Sequence, residues 1–232
     1  MDRKSGKPHI SVVIPTLNEA PNMGELLEGI RQELAGTSYE VIIVDGGSKD
    51  RTVSIAKKYN VRILYDESGK GAALIKGLRA ASGEILVSMD ADLSHRPNEM
   101  KLLVDGIEIG YDVCMGSRFI AGGGTDDMPI IRVLGNKFFV WLVNTLFGAN
   151  YSDLCYGYRS FKRQALHKLN LKECGFGIET EISIKAIKAG LRVMEIPSME
   201  KKRVAGQAKL RTFRDGYVIL KTIMRNMDSS NR

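Results

Sequence analysis

Short apolar runs and amphipathic stretches alternate along the first half of the chain. The runs are ISVVIP (10–15), EVIIVD (40–45), VRILYD (61–66), EILVSMD (84–90) and DVCMGS (112–117). Val and Ile dominate them, and several are apolar almost throughout, the pattern of strands covered on both faces. Between them, 22–35, 50–59, 70–81 and 97–109 carry apolar residues at helical spacing. In the first of these, Met23, Leu26, Leu27, Ile30 and Leu34 fall on one face. This alternation predicts an α/β fold, with a mainly parallel sheet and helices on both faces. Ligands bind such sheets beyond the carboxyl ends of the strands. The polar residues directly after each apolar run are therefore the candidates for function.

After about residue 120 the pattern changes. AGGGTDD (121–127) reads as a flexible loop. The stretch 129–148 follows, a helical segment of unusual apolarity that holds the only Trp and three of the seven Phe. Two readings fit it. One is a buried core helix. The other is a helix lying on a membrane surface, with Trp141 and the Phe side chains inserted and Arg132 and Lys137 at the headgroups. A helix over 178–189 and a short strand over 191–197 come next, and 210–227 closes the chain as a basic amphipathic helix. The expected organisation is one domain over 1–232, with 129–148 and 210–227 as candidate membrane-surface helices and no transmembrane domain, since no stretch reaches the ~20 apolar residues of a typical span.

At 232 residues, 44% hydrophobic and 26% charged, the composition is that of a globular domain and excludes collagen-like or disordered chains. Cys114, Cys155 and Cys174 are odd in number and form no CxxC, so a disulfide framework or zinc ribbon is not expected and a reducing cytosol is the default. The opening MDRKSGKPHISVV lacks the apolar core of a signal peptide. The net charge of +7 is concentrated at the end, where 199–232 carries nine Lys/Arg against three acids. Such a segment suits nucleic acid, anionic lipid or a phosphorylated ligand, or is a solvated tail.

The strongest chemical signal follows the fourth run. Asp90 and Asp92, separated by Ala91, can both face one divalent cation. Hard cations such as Mg²⁺ or Mn²⁺ take oxygen ligands and share them with substrate phosphates. An Asx turn or helix N-cap is the alternative for the same residues. The first run ends in Pro15-Thr16-Leu17-Asn18-Glu19 and the second in Asp45-Gly46-Gly47-Ser48-Lys49-Asp50. Glycines there let a ligand approach the backbone, and Asp45 can accept hydrogen bonds from a base or ribose. Gly69-Lys70-Gly71 opens a helix whose N–H groups favour anions, or is a glycine loop with a solvated lysine.

VVIPTLNE, VDGGSKD, GKGAALIKG, SMDADLSHRP and GSRF stand in the order and spacing of family 2 glycosyltransferases, which the chain resembles over 9–225. DLCYGYRSFKR and RVAGQAKL are similar to the branch of dolichyl-phosphate mannose synthases and polyprenyl-phosphate hexosyltransferases. The resemblance implies a GT-A, Rossmann-like fold. It implies that Pro15, Leu17, Glu19, Val44 and Asp45 border the donor nucleotide, and that Asp90, Ala91 and Asp92 meet its diphosphate through Mg²⁺ or Mn²⁺ bound by Asp90 and Asp92. Arg118 and Arg132 would hold the acceptor phosphate, making them catalytic with Asp92, and Arg203 and Lys209 would close over the donor. Gly46 stands where the family often has a second acid, Leu17 where it often has an aromatic, and Ser94 where some relatives have Gln.

The implied reaction moves a hexose from a nucleotide sugar to a dolichyl or polyprenyl phosphate with inversion, mannose from GDP-mannose being the first candidate. UDP-glucose or a UDP-N-acetylhexosamine as donor, a non-lipid acceptor, and a non-catalytic nucleotide- or RNA-binding protein are the alternatives. The expected partners are the donor, the lipid phosphate, the cytoplasmic face of a membrane and a membrane-anchoring protein, with no nucleic acid.

Overall fold

The computed structural model describes residues 6–202 and 212–228. A central sheet of seven strands runs in the order β3-β2-β1-β4-β7-β5-β8. Its strands are β1 (Ile10–Thr16), β2 (Tyr39–Asp45), β3 (Arg62–Tyr65), β4 (Ile85–Ser88), β5 (Val113–Ser117), β7 (Arg159–Lys162) and β8 (Val193–Pro197). All neighbours pair in parallel except β7, which runs antiparallel to both β4 and β5. Two short strands, β6 (Gly124–Thr125) and β9 (Met199–Glu200), form a separate parallel pair. The helices are α1 (Ala20–Glu33), α2 (Thr52–Ala56), α3 (Lys70–Ala80), α4 (Met100–Glu108), α5 (Ile130–Phe147), α6 (Arg163–Leu169), α7 (Ile178–Lys188) and α8 (Thr212–Asp228).

The continuous apolarity of β1 has a direct cause. Val12 and Ile14 pack with Met23, Leu26 and Ile30 of α1 and with Leu103 of α4. Val13 points the other way and packs with Leu74 and Leu78 of α3. With helices on both faces, neither set can be polar. A glycine permits the close approach of α3: a Cβ at Gly77 would lie 2.3 Å from Val13 Cγ1. The predicted loop at 121–127 is in part a strand, because Gly124 and Thr125 pair with Met199 and Glu200. Strand β7 and helix α6 have no counterpart among the predicted elements.

The stretch 129–148 is not a buried core helix. On α5 only Asn136 and Val143 are buried. Ile130 is 80% exposed and Trp141 60%, and Ile131, Leu134 and Phe138 are exposed with them. The helix is long and apolar enough to cross a membrane by length and composition alone. Its inner side meets Ile219 and Ile223 of α8 and Ile184 of α7 in a third apolar cluster. Helix α8 in turn exposes Phe213, Tyr217, Met224 and Met227.

Candidate active site

The carboxyl ends of β1, β2 and β4 open on one side of the sheet, where α5 and α8 face them across a cleft of about 440 Å³. Pro15, Leu17, Glu19, Asp90, Ala91, Asp92, Arg118 and Arg132 all line it. Leu17 is 39% exposed, a flat apolar surface at the end of β1. Glu19 precedes α1, and its carboxylate accepts a hydrogen bond from Asn22 Nδ2 at 2.7 Å.

Neither of the two predicted positions at the end of β2 is among the residues lining the cleft. The Val44 side chain is wholly buried in the core, so it is not brought to the cleft. Asp45 is buried as well, and its Oδ2 accepts the N–H groups of Gly47 and Ser48 at 3.0 and 2.9 Å. Its Oδ1 is shut off from solvent with no hydrogen-bond partner. A buried acceptor without a donor is costly unless a ligand supplies one. The geometry at Gly46 is roomy: a Cβ would meet Thr16 O at 3.4 Å and Leu17 Cβ at 3.7 Å.

Asp90 and Asp92 are held by different means. Ser94 donates to Asp92 Oδ1 through both its N–H, at 3.1 Å, and its hydroxyl, at 2.6 Å. The serine thus orients the carboxylate. His95 accepts the Asp90 N–H at Nδ1, 2.9 Å away. Its ring is stacked on Tyr158 and set edge-on to Tyr156. Burial outweighs the nearby Asp90 carboxylate and lowers the His95 pKa, which keeps the ring neutral and Nδ1 free to accept. His95 is a splint for the motif, almost wholly buried at the wall of the cleft.

The sharpest difference from the sequence reading concerns Lys70, the first residue of α3. Neither a solvated lysine nor an anion-binding helix end is present. The Cys174 carbonyl accepts the N–H groups of Gly71 and Ala72 at 2.8 and 3.1 Å, using the donors the helix end would have offered an anion. The Lys70 ammonium sits 2.8 Å from Asp90 Oδ1 and 2.9 Å from Glu179 Oε1. Burial disfavours its charge, but the Asp90 and Glu179 carboxylates outweigh that and raise its pKa above the ordinary lysine value. Glu179 lies in the first turn of α7 and is buried. No local signal separates it from Glu181, the other acid of IETEIS; only the antiparallel return through β7 and α6 carries it to Asp90.

Arg118 follows β5 and is 6% exposed. Its Nε and Nη2 donate to the two carboxylate oxygens of Asp153 at 2.7 and 2.9 Å, and its Nη1 donates to Glu200 at 3.1 Å. Burial works against the charge, yet Asp153 and then Glu200 outweigh it and raise the pKa. Most of the fork is therefore engaged by the protein, and Tyr156 packs against the guanidinium. Arg132, on α5, is half-buried, and its Nε donates to Thr212 of α8 at 3.3 Å. Arg203 and Lys209 lie outside the described residues. Cys155 also borders the cleft, where burial pushes its thiol up to about 12, an inert cysteine rather than a nucleophile.

The donor set suits a hard divalent cation. Two carboxylates at the rim leave the remaining positions to phosphate oxygens and water, as Mg²⁺ prefers. Among the described residues no group of three or more carboxylate, imidazole or thiol ligands is assembled for a metal.

The sheet is of the GT-A type, with an acidic pair just beyond a central strand and Arg118 and Arg132 lining the same cleft, a glycosyltransferase fold. The chain belongs to glycosyl transferase family 2, whose model matches residues 11–169. It is 33% identical over 210 residues to a dolichol-phosphate mannosyltransferase of Pyrococcus furiosus, covering 87% of this chain and 59% of that protein. It is 32% identical to a polyprenol monophosphomannose synthase of Mycolicibacterium smegmatis, over 86% of this chain and 80% of that one. It is 33% identical to a dolichyl-phosphate hexose transferase of Haloferax volcanii, over 93% and 92% respectively. The chain thus spans under two thirds of the Pyrococcus relative and most of the other two. Among solved structures, glucosyl-3-phosphoglycerate synthase of Mycobacterium tuberculosis with Mn²⁺, UDP and glucosyl-3-phosphoglycerate superimposes with a TM-score of 0.74 at 22% identity, over 97% of this chain and 81% of that one.

Proposed function

We propose that the protein transfers a hexose, with GDP-mannose as the first donor to test, to the phosphate of a dolichyl or polyprenyl lipid at the cytoplasmic face of a membrane. The observation that carries this reading is the placement of Arg132. It lines the same cleft as Asp90 and Asp92, yet it belongs to a helix whose outer face presents Ile130, Leu134, Phe138 and Trp141. A polar site for two phosphorylated substrates thus opens directly beside an apolar surface. The names of the relatives point the same way.

The reacting groups set the requirements. A phosphate monoester has a second pKa of about 6, so the nucleophile is already an anion and needs no protein base. The obstacle is repulsion: like charges ~4 Å apart cost about 4 kcal/mol at an effective dielectric of 20. A divalent cation held by Asp90 and Asp92 would supply positive charge at the departing diphosphate. Arg132 would pair with the incoming phosphate, for which a planar guanidinium fork is well shaped. Glu200 shares Arg118 with Asp153 in the free protein, so Arg118 would reach an acceptor only through Nη1, by exchanging Glu200 for the phosphate. Leu17 and the buried Asp45 Oδ1 would border the base, and Arg203 and Lys209 would close over the donor. Attack by the lipid phosphate on the anomeric carbon inverts it.

Membrane contact would come from two signals together: the apolar face of α5, and α8 with exposed Phe213 and Tyr217 on the same helix as Arg214 and Lys221. A membrane-anchoring partner would add to it. The test is to incubate the protein and Mg²⁺ or Mn²⁺ with a short polyprenyl phosphate and a panel of radiolabelled nucleotide sugars. Label in the organic phase with one donor supports the reading. Label in water-soluble product alone, together with failure to float with anionic vesicles, replaces it with a non-lipid acceptor.

A further inference from the structure

We propose that Lys70 is a built-in counter-cation of the metal motif and makes metal capture depend on the nucleotide diphosphate. This rests on the assignment of Asp90 and Asp92 to a divalent cation. The ammonium lies 2.8 Å from Asp90 Oδ1, 3.0 Å from Asp90 Oδ2 and 2.9 Å from Glu179 Oε1. Both oxygens of one metal-binding carboxylate therefore already face a positive charge.

The lysine is delivered there by a rigid frame. Gly69 adopts φ +124°, and a Cβ on it would lie 2.5 Å from the Cys174 carbonyl oxygen. A Cβ on Gly71 would lie 2.3 Å from the Glu173 carbonyl oxygen. The 173–175 segment is thus laid across the start of α3, and only glycines flank Lys70. From this fixed point the side chain bridges the end of β4 to the first turn of α7. The Phe176 ring stands 5.9 Å from the ammonium on another side.

Two consequences follow from charge alone. In the absence of metal, Lys70 offsets the repulsion between Asp90 and Glu179, so the site stays assembled. A dication approaching Asp90 must then meet an ammonium about one hydrogen-bond length from both oxygens, or displace it. Either course weakens metal binding by itself. An arriving diphosphate brings negative charge to pair with the ammonium and frees Asp90 for the metal. Metal and nucleotide would then bind with positive coupling, and by linkage each strengthens the other equally. Lys70 is a positioning residue in this scheme. A purely structural latch between α3 and α7 would change stability and leave metal affinity alone.

The experiment follows Mn²⁺ binding by the loss of the free-ion paramagnetic resonance signal, with and without GDP or UDP, in wild type, Lys70→Met and Lys70→Arg, with circular dichroism to confirm folding. The expected result is at least tenfold tighter Mn²⁺ binding by Lys70→Met without nucleotide, a correspondingly smaller gain on adding nucleotide, and near wild-type behaviour for Lys70→Arg. Unchanged or weaker Mn²⁺ binding by folded Lys70→Met overturns the proposal. So does wild-type protein that binds Mn²⁺ as tightly alone as with nucleotide, a comparison that needs no variant to fold. Adding Asp92→Asn to each protein separates the two levels. If it abolishes binding while Lys70→Met matches wild type, the metal assignment survives and the counter-cation falls. If it leaves binding intact, the ion lies elsewhere and both fall.

Discussion

Replacing Arg118 with Ala would act on the fold before it acts on catalysis. The guanidinium is buried, and it neutralises Asp153, whose side chain is fully buried. Removing one member of a buried ion pair strands the other charge, at a cost of roughly 3–5 kcal/mol. Asp153 keeps some support, because its carboxylate also accepts the N–H groups of Arg118 and Cys155 at 3.3 and 3.2 Å. The lower half of the range is therefore expected. For a chain of this size each kcal/mol moves the melting temperature by about 2–4 °C, which places the loss for Arg118→Ala at roughly 6–16 °C.

The measurement is a melting curve for Arg118→Ala, Asp153→Ala and the double variant. The two single changes should be strongly coupled, with the double variant no less stable than either single one, because the unpaired charge is gone. Melting of Arg118→Ala within 2 °C of wild type, or full additivity in the double variant, would refute a structural ion pair. Either outcome would return Arg118 to the acceptor site as its main role.

Arg132→Ala is the contrasting case. Arg132 is half-buried and reaches Thr212 at 3.3 Å, so its loss should lower the melting temperature less than loss of the 6%-exposed Arg118. Loss of a charge-assisted contact worth about 1.5–3 kcal/mol should raise the acceptor KM roughly 10- to 100-fold, with nucleotide affinity untouched. Equal effects on donor and acceptor binding would argue against it. Asp92→Ala should lower turnover by more than about 100-fold, beyond the loss usual for a residue outside the coordination sphere; near-normal turnover in the presence of a chelator would exclude a metal role. Burial pushes the Glu40 carboxyl up, but hydrogen bonds from Ser82 and Ser11 outweigh it and hold the pKa below its ordinary 4.5. A depressed folded-state pKa gives stability that is present above pH 4.5 and is lost as pH falls through the folded value. Glu40→Gln should therefore flatten the acid limb of the stability profile, and parallel acid limbs for the two proteins would contradict it.

The parts of this molecule legible in the sequence are those governed by local periodicity. Strands β1 to β5 and helices α1, α3, α4, α5 and α7 announce themselves through local patterning: burial demands apolar residues in β1, β2, β4 and β5 and along one face of α1, α3 and α4, while β3 and α5 are apolar though only partly covered. The acidic pair is legible because it stands at a strand end, where the sheet's own geometry directs attention. What escapes is set by pairing between distant segments. Strand β7 holds Arg159 and Lys162 at its ends, residues that speak against a central strand. Arg159 is nonetheless fully buried, because its guanidinium donates to the carbonyls of Tyr156 and Leu154 and to Ser183 Oγ. That network ties the turn carrying Asp153 and Gly157 to Ser183 of α7, and neither the local carbonyls nor the distant hydroxyl leaves a mark in the hydrophobic pattern.

The same reasoning explains why the two cations most exposed to misreading are Lys70 and Arg118. Each occupies a motif position that invites assignment to a phosphate, and each is met in the folded chain by carboxylates from elsewhere: Asp90 and Glu179 for the lysine, Asp153 and Glu200 for the arginine. The proposed transfer between two phosphorylated ligands would need concentrated positive charge, yet bare cations in a half-buried site would repel one another while the site is empty. The internal carboxylates balance that charge. Of the two carboxylates on Arg118, Glu200 is the more exposed and meets a single nitrogen, whereas Asp153 is fully buried and takes two.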